Sequence, residues 1–254
     1  MVVEKGSLLL RWTTLVVVVL HTAFSLLSPL LQLPGDEVIT NRYDNAFVPA
    51  SYAFWIWPVI YAAFIAYAVI QLLPAQREVE IFDELDRPLI AALILATGWI
   101  IAFRTDQLAL SVAVIVAVLG CALVMYARAT AFIETGKPTR IRAPFSLFLG
   151  WITLTTIANV ALALTKHGLL THDVEGPWAA GMTIAATGIV ATLALRVRDP
   201  ILPAAIAWGS FAVFLEEYRA MPLVAASALT ATIVCAATAI GLGVARGRRH
   251  LAER

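Results

Sequence analysis

Seven side chains in this 254-residue chain have types and spacings suited to holding a ligand rather than to making or breaking bonds. Trp57 and Tyr61 stand four residues apart, as do Trp99 and Phe103, while Trp151, Thr155 and Asn159 follow at i, i+4 and i+8. Residues four apart lie on one face of a helix, so each set forms a stripe. Indole and phenol rings stack on flat apolar molecules, and they also pack on one another. Asn159 is an amide inside an apolar run, so it must pair with another helix or face a cavity. Pro58 follows Trp57 directly and opens the backbone ladder nearby. Three helices with such faces could line a pocket for a flat, apolar ligand with one or two polar handles, or could simply pack together. Spacing alone leaves both readings open.

Bond-making chemistry has no comparable support. The chain contains no Gly-rich phosphate loop, nucleophile elbow, HExxH or aspartate-rich diphosphate motif, so no catalytic residue is assigned and the chain is read as a non-enzyme. His167 and His172 flank a segment with Asp173 and Glu175, but their spacing fits no standard metal site, and a solvated loop is expected. Cys121 and Cys235 sit singly in apolar runs as small buried hydrophobes. His21 lies well inside a span and is expected to be a hydrogen-bonded packing residue. No acidic residue falls in the middle of a span, so the buried carboxylates of ion-coupled transporters are not expected. A net charge of +1 offers no field for nucleic acid.

The elements that must position the seven residues follow from composition. The chain is 61% hydrophobic and 14% charged, against roughly 45–50% and ~25% in soluble domains, so lipid is the expected solvent. A spanning helix needs about 20 mainly apolar residues. Such runs occupy roughly 8–28, 52–74, 88–103, 107–127, 145–165, 177–195, 201–215 and 222–245, the third and seventh being short and bounded by tight hairpins at 104–106 and 216–219. The first run lacks a clear small-residue cleavage site and reads as a retained helix rather than a signal peptide. With eight spans and the N-terminus inside, all 18 Lys and Arg fall as 14 inside and 4 outside (Arg42, Arg104, Lys166 and Arg219). That bias places both termini in the cytoplasm. The segment 76–87 mixes acids with Val79, Phe82 and Leu85 and is expected as a short amphipathic turn on the cytoplasmic surface. The expected fold is thus all-α, a polytopic transmembrane helix bundle of about eight spans, in a bacterial inner or plasma membrane. Ala pairs recur from 179 to 237 and let helices approach closely, against the rest of the chain or in a homo-oligomer.

These residues together resemble the tryptophan-rich sensory protein family, also called the translocator protein or TspO/MBR family. Pro49 precedes Trp57 by eight residues and Tyr61 follows it; Trp99 is followed by Phe103; Pro144, Trp151 and Asn159 come in the family order. Ala96 stands where the family pattern has Asn, and the interval from Pro144 to Trp151 is seven residues rather than four. The resemblance covers residues 1–165 and implies a five-helix unit there, with 166–254 adding three helices and a basic cytoplasmic tail. It implies a porphyrin, haem-type tetrapyrrole or sterol-like lipid as ligand, Trp57, Tyr61, Trp99, Trp151 and Asn159 as pocket residues, and the segment 28–51 as a lid. It implies no other cofactor. A facilitator or exporter of a small hydrophobic molecule and a structural subunit of a membrane complex are the alternatives.

Overall fold

A computed structural model describes residues 7–31, 34–40, 42–43, 45, 47–76, 79–134 and 139–252. Lys5, Arg77, Lys137 and Arg254 of the charge pattern lie outside them. Among the described residues all regular structure is helical. The helices are α1 (Leu8–Leu27), α2 (Asp36–Thr40), α3 (Ile56–Ile70), α4 (Ile81–Arg104), α5 (Leu108–Glu134), α6 (Ala143–Lys166), α7 (His172–Val197), α8 (Ile201–Glu217) and α9 (Pro222–Ala252). Seven of the spans, counting 51–70 as one, are long and apolar enough to cross a membrane. Helix α8, with 17 residues, is about 25 Å long and lies at the short end of the spanning range.

By internal packing the chain divides into a first unit, residues 1–39 and 55–145, and a second, residues 40–54 and 146–254. In the first unit α4 packs along α5 and α1, and α1 also meets α3. Helix α1 carries the inverse of a soluble pattern. Its buried stripe is Arg11, Thr14, Val18 and His21, continued by the buried Ser28, whereas Leu9, Leu20 and Leu26 are exposed. Lipid accepts the leucines, so the polar groups turn inward where partners exist. Ser7 starts the helix by accepting from the Leu10 N–H.

Helix α4 corrects the sequence reading. The span expected at 88–103 begins at Ile81, so the amphipathic turn expected at 76–87 becomes largely its first turns, with Ile81, Phe82, Leu85 and Asp86 buried. Pro88 did not stop the helix. Its ring lacks the N–H that would bond to the Glu84 carbonyl, and Arg128 of α5 donates to that carbonyl instead. Helix α4 ends through Thr105 and Asp106, the latter in the left-handed region at φ 62°, with Gln107 N–H returning to Ala102 O at 2.8 Å. Arg104, expected in the hairpin, belongs to the last turn and is buried.

In the second unit α9 packs on α8 and α7. Helix α6 approaches α8 through glycines. A Cβ at Gly150 would lie 2.6 Å from Ala205 Cβ and 2.8 Å from Leu202 O; one at Gly209 would meet Leu154 and come within 3.3 Å of the Trp151 ring. Close backbone approach of this kind is how membrane helices gain van der Waals contact. The segment before α3 docks here too. Ala50 N–H donates to Ala212 O, Trp208 Nε1 donates to Ala53 O at 3.1 Å, and Tyr52 meets the Trp208 ring edge-on at 5.0 Å.

Candidate functional site

Four of the seven sequence-predicted residues come together in the first unit. Trp57 and Tyr61 of α3 stack with centroids 5.8 Å apart and planes 20° apart. Across from them, Trp99 of α4 lies 6.2 Å from Trp57, and Phe103 lies 5.3 Å from Trp99. His21 of α1 adds an edge-on contact to Tyr61 at 5.7 Å. The result is a continuous buried ladder of five rings from three helices. The i, i+4 spacing produces it, because α3 and α4 each contribute two rings to one face and the single His21 ring of α1 closes the end.

Polar groups rim the ladder. The Tyr61 and Ser25 hydroxyls share a hydrogen bond. Thr97 donates its hydroxyl to Leu93 O at 2.9 Å, so its lone pair faces His21 Nδ1 at 2.8 Å and accepts the ring N–H. His21 is therefore a hydrogen-bonded packing residue, as expected. Beyond Ser25, the Ser28 hydroxyl donates to Ser25 O at 2.7 Å and accepts from the Arg104 guanidinium.

The other three predicted residues share a face of α6 in the second unit. The Trp151 ring meets Phe54 edge-on at 6.4 Å. Thr155 donates to the Trp151 carbonyl at 2.9 Å, committing its hydroxyl to its own helix, and Asn159 is buried. Of the expected lid, Tyr43 has its ring 5.7 Å from Lys166 Nζ. The side chains of Asp36 and Glu37 lie outside the described residues.

A second polar centre in the first unit was not singled out from sequence. Arg11 is 1% exposed. Its Nη1 donates to Gln71 O at 3.0 Å and Gln76 O at 2.7 Å, its Nη2 to Val79 O at 3.0 Å, and its Nε to Asp83 at 3.3 Å. The same carboxylate accepts from Ser7 N–H at 2.7 Å. The guanidinium thus caps the C-terminal end of α3 and ties it to α1 and α4, with its face over the Phe82 ring. Next to it Asp86 is fully buried. Tyr67 donates to it at 3.0 Å, and the Gln71 amide nitrogen, oriented toward it, lies 3.0 Å from both its oxygens. Asp86 lies in the second turn of α4 and not in the middle of the span, but its burial corrects the expectation that buried carboxylates would be absent. The helix begins earlier than the apolar run, so an acid ahead of that run enters the packed interior. Tyr67 and Gln71 at i, i+4, with Asp83 and Asp86 at i, i+3, were the available signal.

At the other cluster weighed from sequence, His172 Nδ1 lies 2.9 Å from Glu175 Oε1 one turn on. Among the described residues no group of three or more His, Cys, Asp or Glu is placed to hold a metal.

Searches of curated proteins and of solved structures return no match. The family model of the TSPO-like protein matches residues 11–241, which take in the ring ladder, the α6 set, α7, α8 and most of α9. With that match running through nearly the whole of an apolar, all-helical chain, this integral membrane protein belongs to the TSPO-like family.

Proposed function

We propose that the chain binds a flat, apolar ligand within the membrane, a tetrapyrrole such as a porphyrin or a sterol-like lipid, in a sensory or ligand-handling role. The observation that carries the reading is the buried ladder of His21, Tyr61, Trp57, Trp99 and Phe103. Its rings offer π-faces and edges, while Ser25, Thr97 and Arg104 put polar groups at its margins. Trp151, Thr155 and Asn159 are a second candidate set for the same class of ligand. In this reading residues 1–165 carry the ligand and both termini are cytoplasmic, as the distribution of Lys and Arg favours.

The test is tryptophan-fluorescence quenching of the purified protein, titrated with protoporphyrin, haem, a sterol and a carotenoid, with corrections for inner-filter loss and detergent partitioning. Saturable quenching by one class is expected. Replacing one stacking ring, as in Trp99→Leu, should weaken that ligand by about 2- to 10-fold, the equivalent of ~0.5–1.5 kcal/mol. Trp12, which is 52% exposed, supplies the control, and Trp12→Phe should leave affinity unchanged. Quenching that never saturates, or that Trp99→Leu leaves untouched, would sink the ladder as the site.

One observation favours a second reading, a facilitator of a small hydrophobic or ionisable molecule. The buried Arg11 and Asp86, with the half-buried Asp83 beside them, form a polar centre at the starts of α1 and α4 of the kind that marks substrate pathways. Flux of candidate molecules in sealed vesicles no greater than in empty ones would count against it.

A further inference from the structure

A cleft of about 670 Å³ lies where α4 and α5 run side by side in the first unit, lined by Asp83, Glu84, Arg87, Pro88 and Arg128. It is separate from the ring ladder, and its charges differ in availability. Asp83 is occupied by Arg11 and the Ser7 N–H. Arg128 spends one N–H on the Glu84 carbonyl that Pro88 leaves open, which fixes its guanidinium at the cleft. Arg87 is exposed and has no hydrogen bond or ion pair among the described residues, and the same holds for the Glu84 carboxylate. Among the described residues the cleft therefore presents two guanidinium groups with N–H to spare and one carboxylate with no partner: Glu84 and Arg87 are one turn apart on α4, and Arg128 of α5 is tied beside them through the Glu84 carbonyl.

The same faces continue as an apolar strip. On α4 the residues below Arg87 are Ala91, Ile94 and Gly98, with Ile94 60% exposed. On α5 the residues leading up to Arg128 are Gly120 and Val124, with Val124 41% exposed. A Cβ at Gly98 or Gly120 would meet nothing within 4 Å, so the strip is open along its length. Seven residues of helix carry it about 10 Å away from the charged mouth. A charged mouth above an open apolar strip fits an amphiphile with a compact head and aliphatic chains.

We propose that this cleft binds the headgroup of an aminophospholipid of the phosphatidylethanolamine type. Arg87 and Arg128 hold the phosphodiester, whose paired oxygens match guanidinium forks. Glu84 accepts the N–H groups of the primary ammonium. The acyl chains lie along Ile94 and Val124. Phosphatidylcholine fills the phosphate half equally well, but its trimethylammonium has no N–H to give Glu84. Phosphatidylglycerol offers no cation, and leaves Glu84 beside an anion.

The test is native mass spectrometry of the full chain after delipidation, titrated separately with phosphatidylethanolamine, phosphatidylcholine and phosphatidylglycerol of identical chains, and with soluble phosphoethanolamine. Phosphatidylethanolamine should bind about tenfold tighter than either other lipid. Arg87→Gln should weaken phosphatidylethanolamine and phosphatidylcholine alike and leave their ratio, because both carry the phosphodiester, whereas Glu84→Gln should make the two lipids equal. Both positions are exposed, and unchanged circular dichroism and melting would confirm that the variants fold. Equal binding of phosphatidylethanolamine and phosphatidylcholine by the unmodified chain would overturn the proposal, as would tighter binding of phosphatidylglycerol. A preference that survives Glu84→Gln, or affinities that Arg87→Gln leaves unchanged, would place the lipid elsewhere and overturn the proposal. Competition by soluble phosphoethanolamine as strong as by the lipid would overturn the lipid as occupant.

Discussion

Replacing Arg11 by Ala should cost the protein far more than replacing its ionic partner. The guanidinium serves four acceptors: the carbonyls of Gln71, Gln76 and Val79, and the Asp83 carboxylate. Only the bond to Gln71 O is wholly buried, and leaving such a carbonyl unpaired costs about 1–3 kcal/mol. The other carbonyls are part-buried, so water can replace some of what is lost. With about 0.5–1.5 kcal/mol for each of the two part-buried carbonyl bonds, the total centres on about 3–5 kcal/mol. At about 2–4 °C per kcal/mol for a chain of this size, Arg11→Ala should lower the melting temperature by about 6–20 °C. Arg11→Lys keeps the charge, but a point ammonium with three N–H groups cannot span four acceptors, so about half the loss should remain. Asp83→Asn should cost only about 0.5–1 kcal/mol, since that side chain is 23% exposed and its pairing is partly screened. The assay is thermal unfolding in one detergent, followed by circular dichroism. If Asp83→Asn destabilises as much as Arg11→Ala, the ion pair rather than the capping of α3 holds α1, and the reasoning fails.

Three further outcomes follow from contacts elsewhere. Gly150→Leu should destabilise by about 1–3 kcal/mol, because even a Cβ there would sit 2.6 Å from Ala205 and 2.8 Å from the Leu202 carbonyl; a melt unchanged within error would contradict the close approach of α6 and α8. Asp199→Ala removes both a 2.6 Å bond from Ser146 and the acceptor for the Ile201 N–H at the start of α8, a loss of about 2 kcal/mol that Asp199→Asn should partly restore. A chain ending at 166 keeps α6 but deletes the α8 surface against which Gly150, Trp151 and Leu154 lie, so it should aggregate or be degraded on expression; a stable, monodisperse truncated protein would show that the first five spans fold alone.

The membrane helices were legible because hydropathy depends on lipid thickness, and a run of about 20 apolar residues has few other uses. Their ends were not. Helices α5, α7 and α9 run past the apolar segments into polar sequence, since the hydrogen-bond ladder continues wherever water or neighbours satisfy side chains. The four rings on α3 and α4 were legible from their i, i+4 spacing, and they do meet, Trp57 and Tyr61 stacked and Trp99 tilted against Trp57 and Phe103. His21 was assigned to packing correctly, yet its place at the end of the ladder was hidden, because a lone residue has no partner to reveal its face. For Trp151, Thr155 and Asn159 the shared face of α6 was readable, but spacing says nothing about which helix lies opposite.

Arg11 and Asp86 were missed for one physical reason. Charged residues flanking an apolar run are normally read as solvated, and the count of Lys and Arg on each side uses Arg11 in that way. In α1, however, Arg11 continues the stripe Thr14, Val18, His21, whose spacing of three and four residues repeats every seven. In a helix whose opposite face is leucine and valine, such a stripe of polar residues marks the side turned away from lipid. An arginine in register with it is drawn inward, provided acceptors await it. The end of α3 supplies the Gln71 carbonyl, the connection to α4 supplies those of Gln76 and Val79, and the early start of α4 brings up Asp83. Each feature is weak alone. Periodicity, unsatisfied helix ends and an acid one turn into the next helix become informative when considered together. A charge beside a membrane span should therefore be assigned to water only after its position on the buried face has been checked.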